Sequence, residues 1–166
     1  MSVLETERLT LREVTLEDAA FVVELLNEPS YIRFVADRGI RTLDDAARYI
    51  TEKFLPSYAQ HGFGFYLVEL KSDGTPIGIC GLAKRETLDD VDIGYSLLER
   101  FWGNGYALEA ARGVMDHAQR VLGLKRVIAF TAVDNASSAR LLEKLGLRYE
   151  KMIDLPGYEG GSRLFS

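Results

Sequence analysis

The sequence predicts an α+β fold: a mixed, mostly antiparallel sheet of about six to seven strands, flanked by about four helices. Three observations carry this. Two early segments have helical spacing, and the middle of the chain turns to aromatic and β-branched runs joined by short turns. A long amphipathic helix then separates two strand-like runs. That helix is a crossover, so the strands on either side of it run parallel, while strands joined by short turns run antiparallel. At 166 residues the chain fits one domain, 1–166, with room for a substantial core.

Leu9 to Val14 alternates apolar and polar residues, as a half-buried strand does. Thr15-Leu16-Glu17-Asp18 has the spacing of a capping box, and Ala19, Val22, Val23, Leu25 and Leu26 follow at helical intervals. Pro29 closes that helix, with room for a short continuation through Tyr31 and Phe34. Thr42-Leu43-Asp44-Asp45 repeats the start signal for a helix through Phe54, which Pro56 should bend or end. Gly64 to Leu70, Pro76 to Leu82 and Val91 to Leu98 form a meander with turns at Ser72–Thr75 and Leu88–Asp90. The long helix runs from Gly105 to Leu122 and stops at Gly123. Arg126 to Val133 is the next strand, and Asp134-Asn135 opens a short helix that ends at Gly146. Leu147 to Ile153 and Ser162 to Phe165 read as terminal strands.

Hydrophobic residues make up 47% and charged residues 27% of the chain, the balance of a soluble globular protein. A net charge of −5 argues against a dedicated nucleic-acid binder, and agrees weakly with a cationic substrate. The single Cys80, in an apolar run, reads as buried filler and excludes an internal disulfide. Two histidines, His61 and His117, are too few for a histidine-rich metal site, so no metal is expected; His117 reads as a surface residue. No stretch has the ~20 apolar residues of a membrane span. The first residues lack the layout of a signal peptide, so a cytoplasmic protein without a membrane partner, monomeric or homodimeric, is expected.

Two segments carry chemistry. Arg100-Phe101-Trp102-Gly103-Asn104-Gly105-Tyr106-Ala107 lies between a strand and the long helix. Two glycines in three residues allow positive φ and close approach of a ligand, and the helix start offers free N–H groups to an anion such as a pyrophosphate. Arg100 adds a nearby charge. The segment is neither a P-loop nor a full dinucleotide fingerprint, since Leu108 stands where a third glycine would be. In the second segment, Asn135 ends a strand and begins a helix, with Ser138 one turn further on. Asn135 can cap the helix or bond an extended amide ligand, and both readings stand at this point.

Arg100-x-x-Gly103-x-Gly105-Tyr106-Ala107 resembles the pyrophosphate motif of the GNAT acetyltransferases. Thr6-Glu7-Arg8-Leu9-x-Leu11-Arg12, Asp92-Ile93-Gly94-Tyr95-Ser96-Leu97 and Asn135-x-x-Ser138 with the helix after it resemble segments of that family's Rim-like branch, which acetylates ribosomal-protein N-termini. The resemblance covers roughly Glu5 to Lys151. It implies a GNAT fold, with a V-shaped splay between the strands that end near Leu98 and Val133, and acetyl-CoA as cosubstrate. It further implies that Leu97, Leu98, Arg100, Trp102, Gly103, Asn104, Gly105, Tyr106, Ala107, Asn135 and Ser138 bind that cosubstrate. A backbone N–H near Tyr95 to Leu97 would meet the acetyl oxygen.

The implied activity is direct transfer of the acetyl group to a primary amine, on a protein N-terminus or a small molecule. Asp92 is the first candidate for the base that deprotonates the amine, with Glu69 and Glu86 as weaker alternatives. Many family members carry a tyrosine in the last helix to protonate the leaving thiolate, but this chain has Leu142 there, so the role passes to Ser138 or to water. The rival expectation is a catalytically silent acyl-CoA-binding regulatory module on the same fold. The acceptor surface is expected from Asn27–Gly39, Pro56–Phe63 and Leu155–Gly161.

Overall fold

The computed structural model describes residues 2–166. Eight strands form one sheet in the order β1-β2-β3-β4-β5-β6-β8-β7. They are β1 (Ser2–Glu5), β2 (Leu9–Glu13), β3 (Phe65–Leu70), β4 (Pro76–Ala83), β5 (Val91–Leu97), β6 (Val127–Ala132), β7 (Tyr149–Leu155) and β8 (Tyr158–Phe165). The helices are α1 (Ala19–Leu26), α2 (Pro29–Phe34), α3 (Leu43–Tyr49), α4 (Leu55–His61), α5 (Tyr106–Arg120) and α6 (Ala136–Lys144). All neighbouring strands pair antiparallel except β5 and β6. The mixed α+β architecture is therefore as the periodicity predicts.

Three details differ. The sheet has eight strands, because β1 pairs with β2 and the terminal hairpin is complete. Strand β1 gives little signal, since only Val3 and Leu4 are apolar; both pack on the core beside α5. Pro56 does not end the third helix, whose path continues from α3 through a π-helical stretch, Ile50–Phe54, into α4. Pro56 sits in the first turn of α4, directly after that stretch. His117 is half-buried rather than on the surface, edge-on to Tyr66 with ring centroids 6.5 Å apart.

The strand-helix boundaries follow local chemistry. Thr15 and Thr42 each form a reciprocal cap, with Asp18 and Asp45 returning a carboxylate to the cap N–H. Leu9 and Leu11 are fully buried while Thr10 and Arg12 are not, the alternation of a strand with one core face. Two cores sandwich the sheet. One joins Tyr66, Leu82, Ile93 and Val127 to Ala111 and Val114 of α5 and Leu142 of α6. The other joins Leu67, Ile79 and Leu98 to Leu25 of α1 and Ala46 of α3. Cys80 is fully buried, and burial raises its thiol pKa, so it is packing material.

Candidate active site

The site begins where the sheet comes apart. Strands β5 and β6 share only the pairs Val91–Val127 and Asp92–Ile128. Beyond Asp92, β5 stays bonded to β4 on one edge, and from Ala129 β6 is bonded to β8 on its far edge. The facing edges of Ile93–Leu97 and Ala129–Ala132 are thus left without strand partners, and backbone groups in that state seek partners. A cavity of about 880 Å³ runs through the opening and is lined by both strands, α6 and the β7–β8 turn.

At the open end of β5 lies the glycine loop. Gly103 and Gly105 hold φ of 81° and 79°, which fit glycine and strain other residues. Gly105 caps α5 without a side chain, so the first N–H groups of the helix have no capping oxygen. Trp102 N–H is taken by the Glu99 carbonyl at 3.1 Å, so the donors that remain start at Gly103. The loop's carbonyls are turned away: Asn104 Nδ2 donates to the carbonyls of Phe101 and Trp102, each at 3.2 Å. The Trp102 indole N–H donates to the Leu97 carbonyl at 3.0 Å and stays half exposed. Leu98 is buried, its N–H bonded to Ile77 and its carbonyl to Phe101 N–H.

Arg100 points away from the loop, to Glu24 of α1 at 2.8 Å. A different guanidinium lies at the loop. Arg8, in the β1–β2 turn, has Cζ 4.5 Å from the centre of the Tyr106 ring, and its Nη2 is 3.4 Å from where a Cβ on Gly105 would stand. Glu109, in the first turn of α5, holds it there by accepting from Arg8 N (2.8 Å) and Nε (2.7 Å), and from the Thr6 hydroxyl. Sequence reasoning had no signal for this, because the partners are about a hundred residues apart.

Asp92 and Ser138 approach the opening from opposite faces. Side chains alternate along β5, so Asp92, Gly94 and Ser96 share one face, and Ile93, Tyr95 and Leu97 the other. Tyr95 donates from its hydroxyl to Ser138 Oγ of α6 at 3.2 Å. Burial raises the Tyr95 pKa and keeps it a proton donor. Asn135 caps α6, accepting from Ser138 N–H at 3.1 Å. Thr131 lies on the same face of β6, 5% exposed, and its hydroxyl has no partner among the described residues.

On the other face Asp92 is only 1% exposed. Its Oδ1 accepts from Arg85 Nε at 2.9 Å. Burial raises the carboxyl pKa, and the Arg85 charge and hydrogen bond pull against that rise. Arg85 lies 4.8 Å from the Phe130 ring centre and 5.6 Å from that of Tyr158. Glu69 is bound to Arg12 at 3.1 Å, and neither it nor Glu86 lines the cavity. Among the described residues no group of acidic, histidine or cysteine side chains is placed to hold a metal ion, and no helix is long and apolar enough to cross a membrane.

Known proteins resemble this chain in sequence and in fold. The chain is 28% identical over 161 residues to YoaA of Bacillus subtilis strain 168, an uncharacterized N-acetyltransferase, covering 96% of this chain and 90% of that one. Its fold matches an acetyltransferase from Agrobacterium tumefaciens C58 with a TM-score of 0.81 at 24% identity, over 98% of this chain and 91% of the other. It also matches RimL, the ribosomal L7/L12 α-N-protein acetyltransferase crystallised with coenzyme A, with a TM-score of 0.82 at 17% identity, over 99% and 96% of the two chains. The profile of the acetyltransferase (GNAT) domain spans residues 8–148, which takes in the splayed strands, the glycine loop and α6, and the chain therefore belongs to the GNAT acetyltransferase family.

Proposed function

We propose that the protein transfers the acetyl group of acetyl-CoA to a primary amine by direct attack. The observation that carries this is the pair of open strand edges along one cavity, followed after β5 by an open glycine loop whose Gly105 borders a second, smaller cavity beside Arg8. The residues present fit that cosubstrate. A pantetheine arm is an extended chain with two amides, and the edges of Ile93–Leu97 and Ala129–Ala132 offer backbone groups to such a chain. The orphaned Thr131 hydroxyl adds a buried polar group that needs a partner. The donors of Gly103 to Ala107 suit a diphosphate, with Arg8 beside them. When bound, acetyl-CoA supplies the activated acyl group as a thioester.

The chain's own residues divide the work by face. An ammonium cannot attack until it loses a proton, and its reference pKa is about 10.4 for a side-chain amine and ~7.7–8.0 for an α-amine. Asp92 takes that proton, directly or through water, and Arg85 keeps it oriented. A backbone N–H between Tyr95 and Leu97 polarises the acyl oxygen. Ser138, supplied by the Tyr95 hydroxyl, donates toward the departing sulfur from the opposite face. Leu142 is buried and has no proton to give.

One observation favours the silent acyl-CoA-binding module instead: the Asp92 carboxylate is already engaged by Arg85. Release of free thiol from acetyl-CoA in the presence of amines decides between the two. Binding is tested first by melting. At ligand about 100-fold over Kd the native state gains about 2.7 kcal/mol, or roughly 5–11 °C at this size. No shift at saturating ligand removes the cosubstrate.

A further inference from the structure

Four basic side chains, Arg33, Arg38, Lys53 and Arg85, and four acidic ones, Asp37, Asp92, Asp134 and Glu159, line the cavity. Most charged groups along it are already paired. Arg33 is bound to Asp134 at 3.4 Å, Asp37 to Arg41 at 2.8 Å, and Arg85 to Asp92 at 2.9 Å. Arg38 is different. Its Nη2 donates to the Tyr158 hydroxyl at 3.2 Å, and the other groups that face it are the phenols of Tyr31 and Tyr49. No carboxylate pairs with it among the described residues.

Arg38 and Arg85 lie around the same ring. Their Cζ atoms are 5.8 Å and 5.6 Å from the centre of Tyr158, which itself packs edge-on to Phe130 at 5.1 Å. Asp92 is the one carboxylate paired within this group, and Lys53 adds another positive charge to the lining. Glu159, next to Tyr158 in β8, is exposed and also lines the cavity. The chain's net charge of −5 says nothing about this pocket, where local charges decide what binds.

We propose that the acceptor is an amine that carries a carboxylate on the same molecule, with the amine directed to Asp92 and the carboxylate to Arg38. This rests on the acetyl-transfer reading and names its substrate class. Guanidinium pairs with a carboxylate through parallel hydrogen bonds, and the Tyr158 ring lies beside the Arg38 guanidinium. A polyamine would bring a second cation against Arg38 and Arg85. A free amino acid and a peptide with an acidic residue near its N-terminus both offer the required chemistry.

The test uses thiol release with matched acceptors: amino acids against the amines left by their decarboxylation, and N-terminal peptides with acidic or neutral second residues. The carboxylated member of each pair should be preferred, and whichever of the two series shows the preference identifies the source. Arg38→Gln should raise KM for the carboxylated acceptor roughly 10- to 100-fold, with a smaller change in kcat, and bring the pair near parity. Arg38→Lys should restore part of the preference. Equal use of paired acceptors by the wild type, or an unchanged KM in Arg38→Gln, overturns the proposal. If acetyl-CoA shifts the melting point but no acceptor releases thiol, the transferase reading itself fails, and the substrate class with it.

Discussion

Tyr95 of β5 and Ser138 of α6 are joined by a 3.2 Å hydrogen bond between their hydroxyl groups across the opening of the sheet. The phenol donates, so the serine proton is left free to point elsewhere. Under the proposed reaction Ser138 donates to the departing sulfur and Tyr95 orients it. Ser138→Ala should lower kcat about 10- to 100-fold, at or below the low end of general-acid effects because a thiolate leaves readily. Tyr95→Phe should cost less, and the double variant should be no slower than Ser138→Ala, since both act through one bond. Steady-state kinetics of thiol release measure this; additive losses would separate the two residues.

What could be read from the sequence was whatever is local along the chain. The Gly103–Gly105 loop declares itself because positive φ and a following helix are encoded within a few residues. The parallel β5–β6 pair follows from one crossover helix. Asn135 left two readings; its side-chain oxygen caps α6, and its amide N–H groups are left for the other. Contacts between distant residues gave no such signal. Arg8 and Glu109 are about a hundred positions apart, and Arg38 reaches Tyr158 across a similar span. Arg100 had the right position in the motif, yet its side chain binds Glu24 instead. Strand β1 was lost because two apolar residues carry no periodicity, and its stability comes from pairing with β2.

Asp92 and Arg85 should set the acid limb of the pH profile. Burial raises the Asp92 pKa, so kcat should fall as pH drops through a value above the ordinary carboxylate range, where Asp92 takes up a proton. Asp92→Asn should lose that limb together with about 100-fold or more of kcat. Arg85→Ala removes the charge that opposes the rise, so its acid limb should move to higher pH. The same variant leaves a buried carboxylate unpaired and should lose about 3 kcal/mol near neutral pH. A group whose folded pKa is raised costs stability as pH climbs through that pKa. The gap to wild type should therefore narrow toward acid, where Asp92 is protonated in both proteins. Denaturant titrations across the pH range test the sign.

Glu109 should behave in the opposite way. Burial pushes its pKa up, but bonds from the Thr6 hydroxyl, the Arg8 N–H and the Arg8 guanidinium more than offset that and hold it below the usual value. Its stabilisation is present above the unfolded pKa of about 4.5 and lost as pH falls through the folded one. Glu109→Gln should cost about 1–2 kcal/mol at neutral pH, roughly 2–8 °C in Tm. Its melting curve should converge on that of the wild type in acid. A constant difference at all pH values would mean that shape, not charge, holds the β1–β2 turn against α5.

Gly103 and Gly105 separate backbone strain from ligand access. Both sit in the left-handed region, where a Cβ costs roughly 1–2 kcal/mol. Gly103→Ala meets nothing within 4 Å, so its stability loss should be that strain alone, about 2–8 °C in Tm. Gly105→Ala places its Cβ 3.4 Å from Arg8 Nη2, a contact the exposed guanidinium can relieve by moving, so its loss should be similar. The larger effect should appear with ligand. A methyl group at either position stands where a diphosphate must approach the free N–H groups, so acetyl-CoA should raise Tm much less in both variants than in the wild type. If both variants keep the full ligand-induced shift, the loop is a structural turn, and the cosubstrate is held by the strand edges without it.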